Sequence, residues 1–132
     1  MAKEMIILLI DDDELFYKSI RLILSEKGVV IDYYQNALEA LLKANQIPAP
    51  RYDVVICDIN MPVVNGIEIA QQIYERYPVL LITGFLDDHL KERMLNVCDA
   101  FLEKLDISER IYPALLSAIR RKKSRLSITK VA

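Results

Sequence analysis

Residues 54–66 read VVICDINMPVVNG. Four apolar residues, Val54 to Cys57, make a run of strand length that is apolar on both faces, as in a parallel strand covered on each side. The run stops at Asp58, and a turn through Pro62 and Gly66 leads into a helical pattern with Ile69, Ala70 and Ile73 on its inner side. A carboxylate therefore stands where a buried strand ends and a loop begins.

The same arrangement recurs along the chain. Upstream, Met5 to Ile10 (MIILLI) is a second continuous apolar run, and it ends in Asp11, Asp12 and Asp13. From Leu15, Phe16, Ile20, Ile23 and Leu24 recur at helical spacing, with Gly28 as the expected C-terminal stop. Val29 to Tyr34 reads as a strand, and Asn36 with Glu39 three residues later resembles a capping box opening a helix with Ala37, Ala40, Leu41 and Ala44 inward. Pro48 and Pro50 make 46–51 a loop. Downstream, Pro78 closes the helix before strand Val79 to Ile82, which Thr83 and Gly84 follow. Leu90 and Met94 mark a short helix, Ala100 to Glu103 a fifth strand, and Ile111 to Ile119 a last helix, which Pro113 moves toward a start near Tyr112. Five strand-helix alternations predict an α/β fold: a doubly wound, five-stranded parallel sheet with helices on both faces.

Composition bounds the alternatives. A chain of 132 residues, 53% hydrophobic, can bury one core and is short for two domains. No apolar run approaches the roughly 18 residues of a membrane span, and the first ends in aspartates rather than a cleavage site, so a cytoplasmic location is expected. Cys57 and Cys98 stand apart with no zinc-type spacing and read as reduced, packed thiols. The net charge of −2 conceals an asymmetry: residues 120–132 hold six of the 17 basic residues and no acid, leaving 11 basic against 19 acidic residues, or −8, before them. We divide the chain into a domain over 1–121 and a basic tail or linker over 122–132. The tail lacks a helix-turn-helix or aromatic platform, so direct nucleic-acid binding is not expected, and a solvated helix end is the simpler reading.

Ligands of open parallel sheets bind outside the carboxyl ends of the strands. Those ends carry Asp11 and Asp12, Asp58, Thr83 and Lys104. Two carboxylates about 4 Å apart repel by roughly 4 kcal/mol at an effective dielectric near 20, so three on one rim call for a cation. Magnesium suits an all-oxygen set and leaves positions open for phosphate oxygens. Asp58 is the natural nucleophile, able to form an acyl phosphate, while Asp11 and Asp12 are better placed to hold the metal. Lys104 and Thr83 would bind the phosphoryl oxygens. Asp13 extends the acidic run into a helix N-terminus, and His89, in a polar stretch, reads as solvent-facing.

Through LLIDDDE, VVICDINMPVVNG, LLITG and AFLEK, in that order, the chain resembles the receiver domains of two-component response regulators, over Met5 to about Arg121. The resemblance implies a flavodoxin-like (βα)5 receiver fold and a phosphoacceptor signalling domain that catalyses its own phosphorylation and dephosphorylation rather than an enzyme. A sensor histidine kinase or a histidine phosphotransfer protein would supply the phosphoryl group to Asp58. Asp11, Asp12, Asp58 and the main-chain carbonyl of Asn60 would serve Mg2+, and Thr83 and Phe101 would act as switch residues for a downstream protein target. The domain would be a monomer or a phosphorylation-dependent dimer. Leu105 departs from the family, replacing the proline that commonly follows the lysine, and implies a less rigid Lys104. Two other readings compete. In a haloacid-dehalogenase-like phosphatase, Asp11 would be the nucleophile and Asp13 its partner, but no acid follows Glu109 to complete that pattern. In a phosphorylation-independent binding module, the acids would be idle.

Overall fold

A computed structural model describes residues 4–131, with side chains through residue 126. The chain alternates β1 (Met5–Ile10), α1 (Glu14–Ile23), β2 (Val29–Tyr34), α2 (Ala37–Ala44), β3 (Val54–Asp58), α3 (Gly66–Ile73), β4 (Val79–Thr83), α4 (Asp88–Met94), β5 (Ala100–Glu103) and, after a 3-10 turn over Lys104–Asp106, α5 (Ile107–Val131). All four strand pairings are parallel, in the order β2-β1-β3-β4-β5. That is the doubly wound sheet expected from the sequence.

The two-residue period of the strands divides the core. Leu8, Ile10, Val55, Cys57 and Leu81 face α2, α3 and α4, whereas Ile7, Leu9, Val54, Ile56, Leu80 and Ile82 face α1 and α5. β1, β3 and β4 are central and buried on both sides, which is why they read as unbroken apolar runs. Helix starts follow local side-chain chemistry. Asp13 caps α1 by accepting from the amides of Leu15 and Phe16, Asn36 caps α2 through Leu38 and Glu39, Asn65 caps α3 through Ile67, and Asp87 caps α4 through Leu90.

Two helix boundaries differ from the sequence reading. α1 ends at Ile23 rather than running to Gly28, because tight turns follow it, with the Ser25 amide donating to the Leu22 carbonyl and the Lys27 amide to that of Leu24. Gly28, at φ +66°, instead turns the chain into β2 and offers its carbonyl to the Met5 amide. α5 begins at Ile107, earlier than Ile111 or Tyr112, and continues to Val131 with Pro113 inside it. Pro113 removes one helical hydrogen bond, to the carbonyl of Glu109, but both residues are exposed, so water can satisfy that carbonyl.

The expected division between Arg121 and Lys122 falls within α5. Lys122 is buried, its Nζ donating to the carbonyls of Tyr74 and Glu75 beyond the end of α3. Arg125 pairs with the buried Asp99 at 2.7 Å and lies over the Tyr74 ring at 3.5 Å. At these two residues the basic end is a packed element rather than a solvated one.

Candidate functional site

Sheet register assembles the acidic rim. Ile10 pairs with Cys57, so Asp11 and Asp58 follow side by side on adjacent central strands. Both continue the odd-even rows that face α1 and α5, and Lys104, two residues after Leu102, continues the same row from β5. Asp11 is fully buried and Asp58 is 3% exposed, while Asp12 lies open to solvent. One carboxylate oxygen from each of Asp11, Asp12 and Asp58 lies within 4.8 Å of the others.

Lys104 Nζ sits between the two buried carboxylates, 3.4 Å from Asp11 Oδ2 and 3.4 Å from Asp58 Oδ2. It also lies 4.6 Å from the centroid of the Phe16 ring, which leans on it from α1. Phe16 was legible only as an inner helical position; its contact with the lysine depends on the packing of α1 against the sheet. With Leu105 in place of proline, Lys104 opens the 3-10 turn and Leu105 points outward, 88% exposed. The Phe16 ring and the two carboxylates hold the ammonium from three sides.

The charges are not balanced. Burial pushes the Asp11 carboxyl up to about 6, opposed by the Asp13 amide it accepts from and by Lys104, and reinforced by Asp58. Asp58 is also raised, chiefly by burial, with Lys104 and the Asn60 amide opposing. Asp11 Oδ1 accepts from Asp13 N at 2.8 Å, but Asp11 Oδ2 has no hydrogen bond and meets only the ion-pair contact with Lys104. A buried carboxylate oxygen met only by a long ion-pair contact, beside two further carboxylates, is the donor set of a hard divalent cation. The residues present fit Mg2+.

The remaining rim residues converge on the same edge. The amide of Asn60 donates to Asp58 Oδ1 at 3.3 Å, and Asn60 Nδ2 reaches Thr83 Oγ1 at 3.4 Å. Thr83 Oγ1 is held by the next turn, donating to the Phe85 carbonyl at 3.0 Å and accepting from the Phe85 amide at 3.3 Å. Phe101 is half-buried against the α2–α4 side of the core. Asp13, the residue that the phosphatase reading pairs with Asp11, spends its carboxylate on capping α1. His89 is exposed on α4, away from this set of contacts.

Two contributors escaped the sequence reading. Gly66, read there as a turn former, opens α3 against the back of the loop: a Cβ at this position would lie 2.2 Å from the carbonyl oxygen of Asp58 and 2.7 Å from Cα of Ile59. Tyr33, on β2, donates from its hydroxyl to the Asp11 carbonyl at 2.8 Å. Neither has a local sequence signal that ties it to the acids.

A parallel sheet in this order, with paired acids and a lysine at its carboxyl edge, defines a doubly wound α/β protein with an anionic cluster on that edge. The model of the response regulator receiver domain matches residues 7–111, and the chain belongs to that family. It is 31% identical to Response regulator MprA of Mycobacterium sp. (strain KMS) over 122 residues, covering 87% of this chain and 50% of that protein. It is 28% identical to Transcriptional regulatory protein QseB of Haemophilus influenzae over 121 residues, covering 88% and 53%. The chain thus spans about half the length of the curated relatives it matches. Among solved structures, a response regulator receiver domain protein from Clostridium thermocellum superposes with TM-score 0.75 at 27% identity, covering 90% of this chain and 97% of that one. Chemotaxis protein CheY4 of Vibrio cholerae superposes with TM-score 0.70 at 24% identity, covering 85% and 99%. Among the described residues no helix is long and apolar enough to cross a membrane.

Proposed function

We propose that Asp58 is the phosphoacceptor of this receiver domain. The observation that carries the reading is the buried Asp58 carboxylate, 3.4 Å from Lys104 Nζ and clustered within 4.8 Å of Asp11 and Asp12. Asp11, Asp12, Asp58 and the main-chain carbonyl of Asn60 would hold Mg2+, which when bound neutralises charge on the transferring phosphoryl group. A carboxylate oxygen of Asp58 attacks the phosphorus of a phosphohistidine. The bond to the donor's imidazole nitrogen breaks with its electron pair left on the ring, and an aspartyl phosphate forms. Lys104 holds its ammonium on the phosphoryl oxygens as they approach, and its second carboxylate contact, Asp11, keeps it aimed. The domain supplies these groups itself, so it promotes its own phosphorylation without being a free-standing enzyme.

The donor is a sensor histidine kinase or a histidine phosphotransfer protein in the cytoplasm. Modification adds about −1.5 to −2 charges. Thr83, released from its two contacts with Phe85, turns toward the phosphoryl oxygens, and Phe101 packs further inward. The surface of α4, β5 and α5 then presents a different face to a downstream protein target or to a second copy of the domain. Switching such an equilibrium from 1:99 to 99:1 takes about 5.5 kcal/mol, within reach of a few charge-assisted hydrogen bonds.

The test is intact-mass measurement after incubation with acetyl phosphate, with and without magnesium. One phosphoryl group is expected on the wild type in magnesium only, and none on Asp58→Asn. Labelling that survives in Asp58→Asn but vanishes in Asp11→Asn would overturn the assignment.

A further inference from the structure

The β1–α1 turn carries two of the three clustered carboxylates, yet it is a three-residue loop with little side-chain packing of its own: Asp12 and Asp13 are exposed. What fixes it is a set of hydrogen bonds around Asp11. The Asp11 amide donates to the Tyr34 carbonyl at 3.2 Å, extending the β1–β2 ladder by one rung. Asp11 Oδ1 is held by the Asp13 amide. The Asp11 carbonyl lies past the end of β1 and accepts the Tyr33 hydroxyl at 2.8 Å.

From these contacts we infer that Tyr33 is a positioning residue for metal binding, fixing through its hydroxyl the turn that presents Asp11 and Asp12. This inference rests on the metal role proposed above for those two acids. Tyr33 is itself held in place. Its ring stacks face to face on Tyr17 of α1, with centroids 4.1 Å apart and planes 6° from parallel, and Arg21 lies 5.6 Å over the outer face of Tyr17. The stack joins the edge strand β2 to α1, the helix that the turn enters.

The division of labour is physical. Stacking needs only the ring, and phenylalanine would supply it equally. The hydroxyl donates one hydrogen bond, directed at the main chain of the residue whose Oδ2 meets only the ion-pair contact with Lys104. Rotation of the Asp11 peptide would swing both its own carboxylate and that of Asp12, because the two are consecutive. Groups that orient metal ligands in this indirect way typically change metal affinity by about 10–100-fold when removed.

Isothermal titration with Mg2+ on the whole chain tests this, comparing wild type, Tyr33→Phe and Tyr77→Phe. The last is a matched control, since the Tyr77 hydroxyl donates to the Pro50 carbonyl at 2.7 Å, a main-chain contact of the same kind outside the acidic cluster. Tyr33→Phe is expected to raise the Mg2+ dissociation constant about tenfold, with the metal-free melting temperature close to that of the wild type, and Tyr77→Phe to leave the constant unchanged. A constant for Tyr33→Phe within twofold of wild type overturns the inference. So does equal weakening in both variants, which would mean general loosening. Absence of Mg2+ binding by the wild type would instead defeat the metal site itself, an outcome the titration distinguishes by its first trace.

Discussion

Gly66→Ala is the substitution for which the structure sets the tightest bound. The added methyl would sit 2.2 Å from the Asp58 carbonyl oxygen, 2.7 Å from Cα of Ile59 and 2.8 Å from the Asp58 carbonyl carbon, all main-chain atoms that cannot rotate away. To reach even the shortest separations seen for real Cβ atoms, about 3.0 Å, the start of α3 and the end of β3 must part by roughly 1 Å. The neighbours resist, because Asp58 is a strand residue paired with Ile82 and Ile59 is buried. Overpacking of this kind costs about 1–3 kcal/mol, partly offset by alanine's better helix propensity, worth up to about 1 kcal/mol. With an unfolding entropy near 2.1 cal/mol/K per residue, each kcal/mol is about 4 °C for a domain of this size. At the middle of the overpacking range, about 2 kcal/mol less an offset of up to about 1, the melting temperature should fall by roughly 4–8 °C.

The effect on phosphorylation should be larger than the effect on folding. Displacing a reacting carboxylate by about 1 Å can cost on the order of 10²-fold in rate, and the Gly66 amide that donates to the Ile59 carbonyl at 3.0 Å would move with it. The assay pairs thermal unfolding by circular dichroism with the initial rate of labelling by acetyl phosphate in saturating magnesium. Gly84→Ala is the control: a Cβ there meets nothing within 4 Å, so melting should stay within about 2 °C of wild type. If Gly66→Ala matches wild type in both measurements, the close approach is not a constraint and the reasoning fails.

Two further predictions concern charge. Without metal, the raised carboxyl of Asp11 means that between about pH 4 and pH 6 the folded chain holds a proton the unfolded chain has released, so this group's contribution to stability is lost as pH rises through that window, by on the order of 2–3 kcal/mol; Asp11→Asn should therefore melt higher than wild type at pH 7.5 without magnesium, lose that advantage near pH 4, and gain nothing from added magnesium, and an unchanged melting temperature at pH 7.5 would count against the buried charge. Ending the chain after Arg121 removes the Lys122 bonds to Tyr74 and Glu75 and leaves the buried Asp99 without Arg125, a loss of about 2–4 kcal/mol read as a melting temperature lower by about 8 °C or more; equal stability of the shortened chain would show that the contacts contribute little.

How far the sequence could be read follows from where each determinant lies. Central strands are buried on both sides, so Met5–Ile10, Val54–Asp58 and Val79–Thr83 appear as apolar runs with abrupt polar ends, and the acids mark those ends. Caps such as Asn36 act within three residues and are visible for the same reason. The end of α1 and the start of α5 differ from the sequence reading because glycine marks a local stop and proline a local start there, whereas Gly28 serves the next strand and the exposed face of α5 tolerates Pro113. Lys122 and Arg125 looked like a solvated basic run since their partners, the carbonyls after α3 and the Asp99 carboxylate, lie 26 to 51 residues away. Phe16, Tyr33 and Gly66 are hidden for a related reason: each meets the acidic rim from a different element, and none carries a residue type that announces it.

One imbalance ties the candidate site together. Among the described residues, Asp11 and Asp58 are buried against a single ammonium, and Asp12 stands beside them, so three carboxylates face one cation at the carboxyl edge of the sheet. A better-stabilised arrangement of the same fold is easy to write, with asparagine at Asp11 or a second lysine on the rim, and either would lessen the cost of burying these charges, which with their mutual repulsion raises both carboxyls. Retaining the excess charge costs stability in the metal-free chain, and proteins keep such costs chiefly where a ligand removes them. A divalent cation cancels two charges and leaves the ammonium to meet an incoming anion. An apolar ligand can do neither. The chemistry that best fits this cluster is therefore a hard cation together with a multiply charged oxyanion, which is the pairing that the proposed phosphoryl transfer to Asp58 requires.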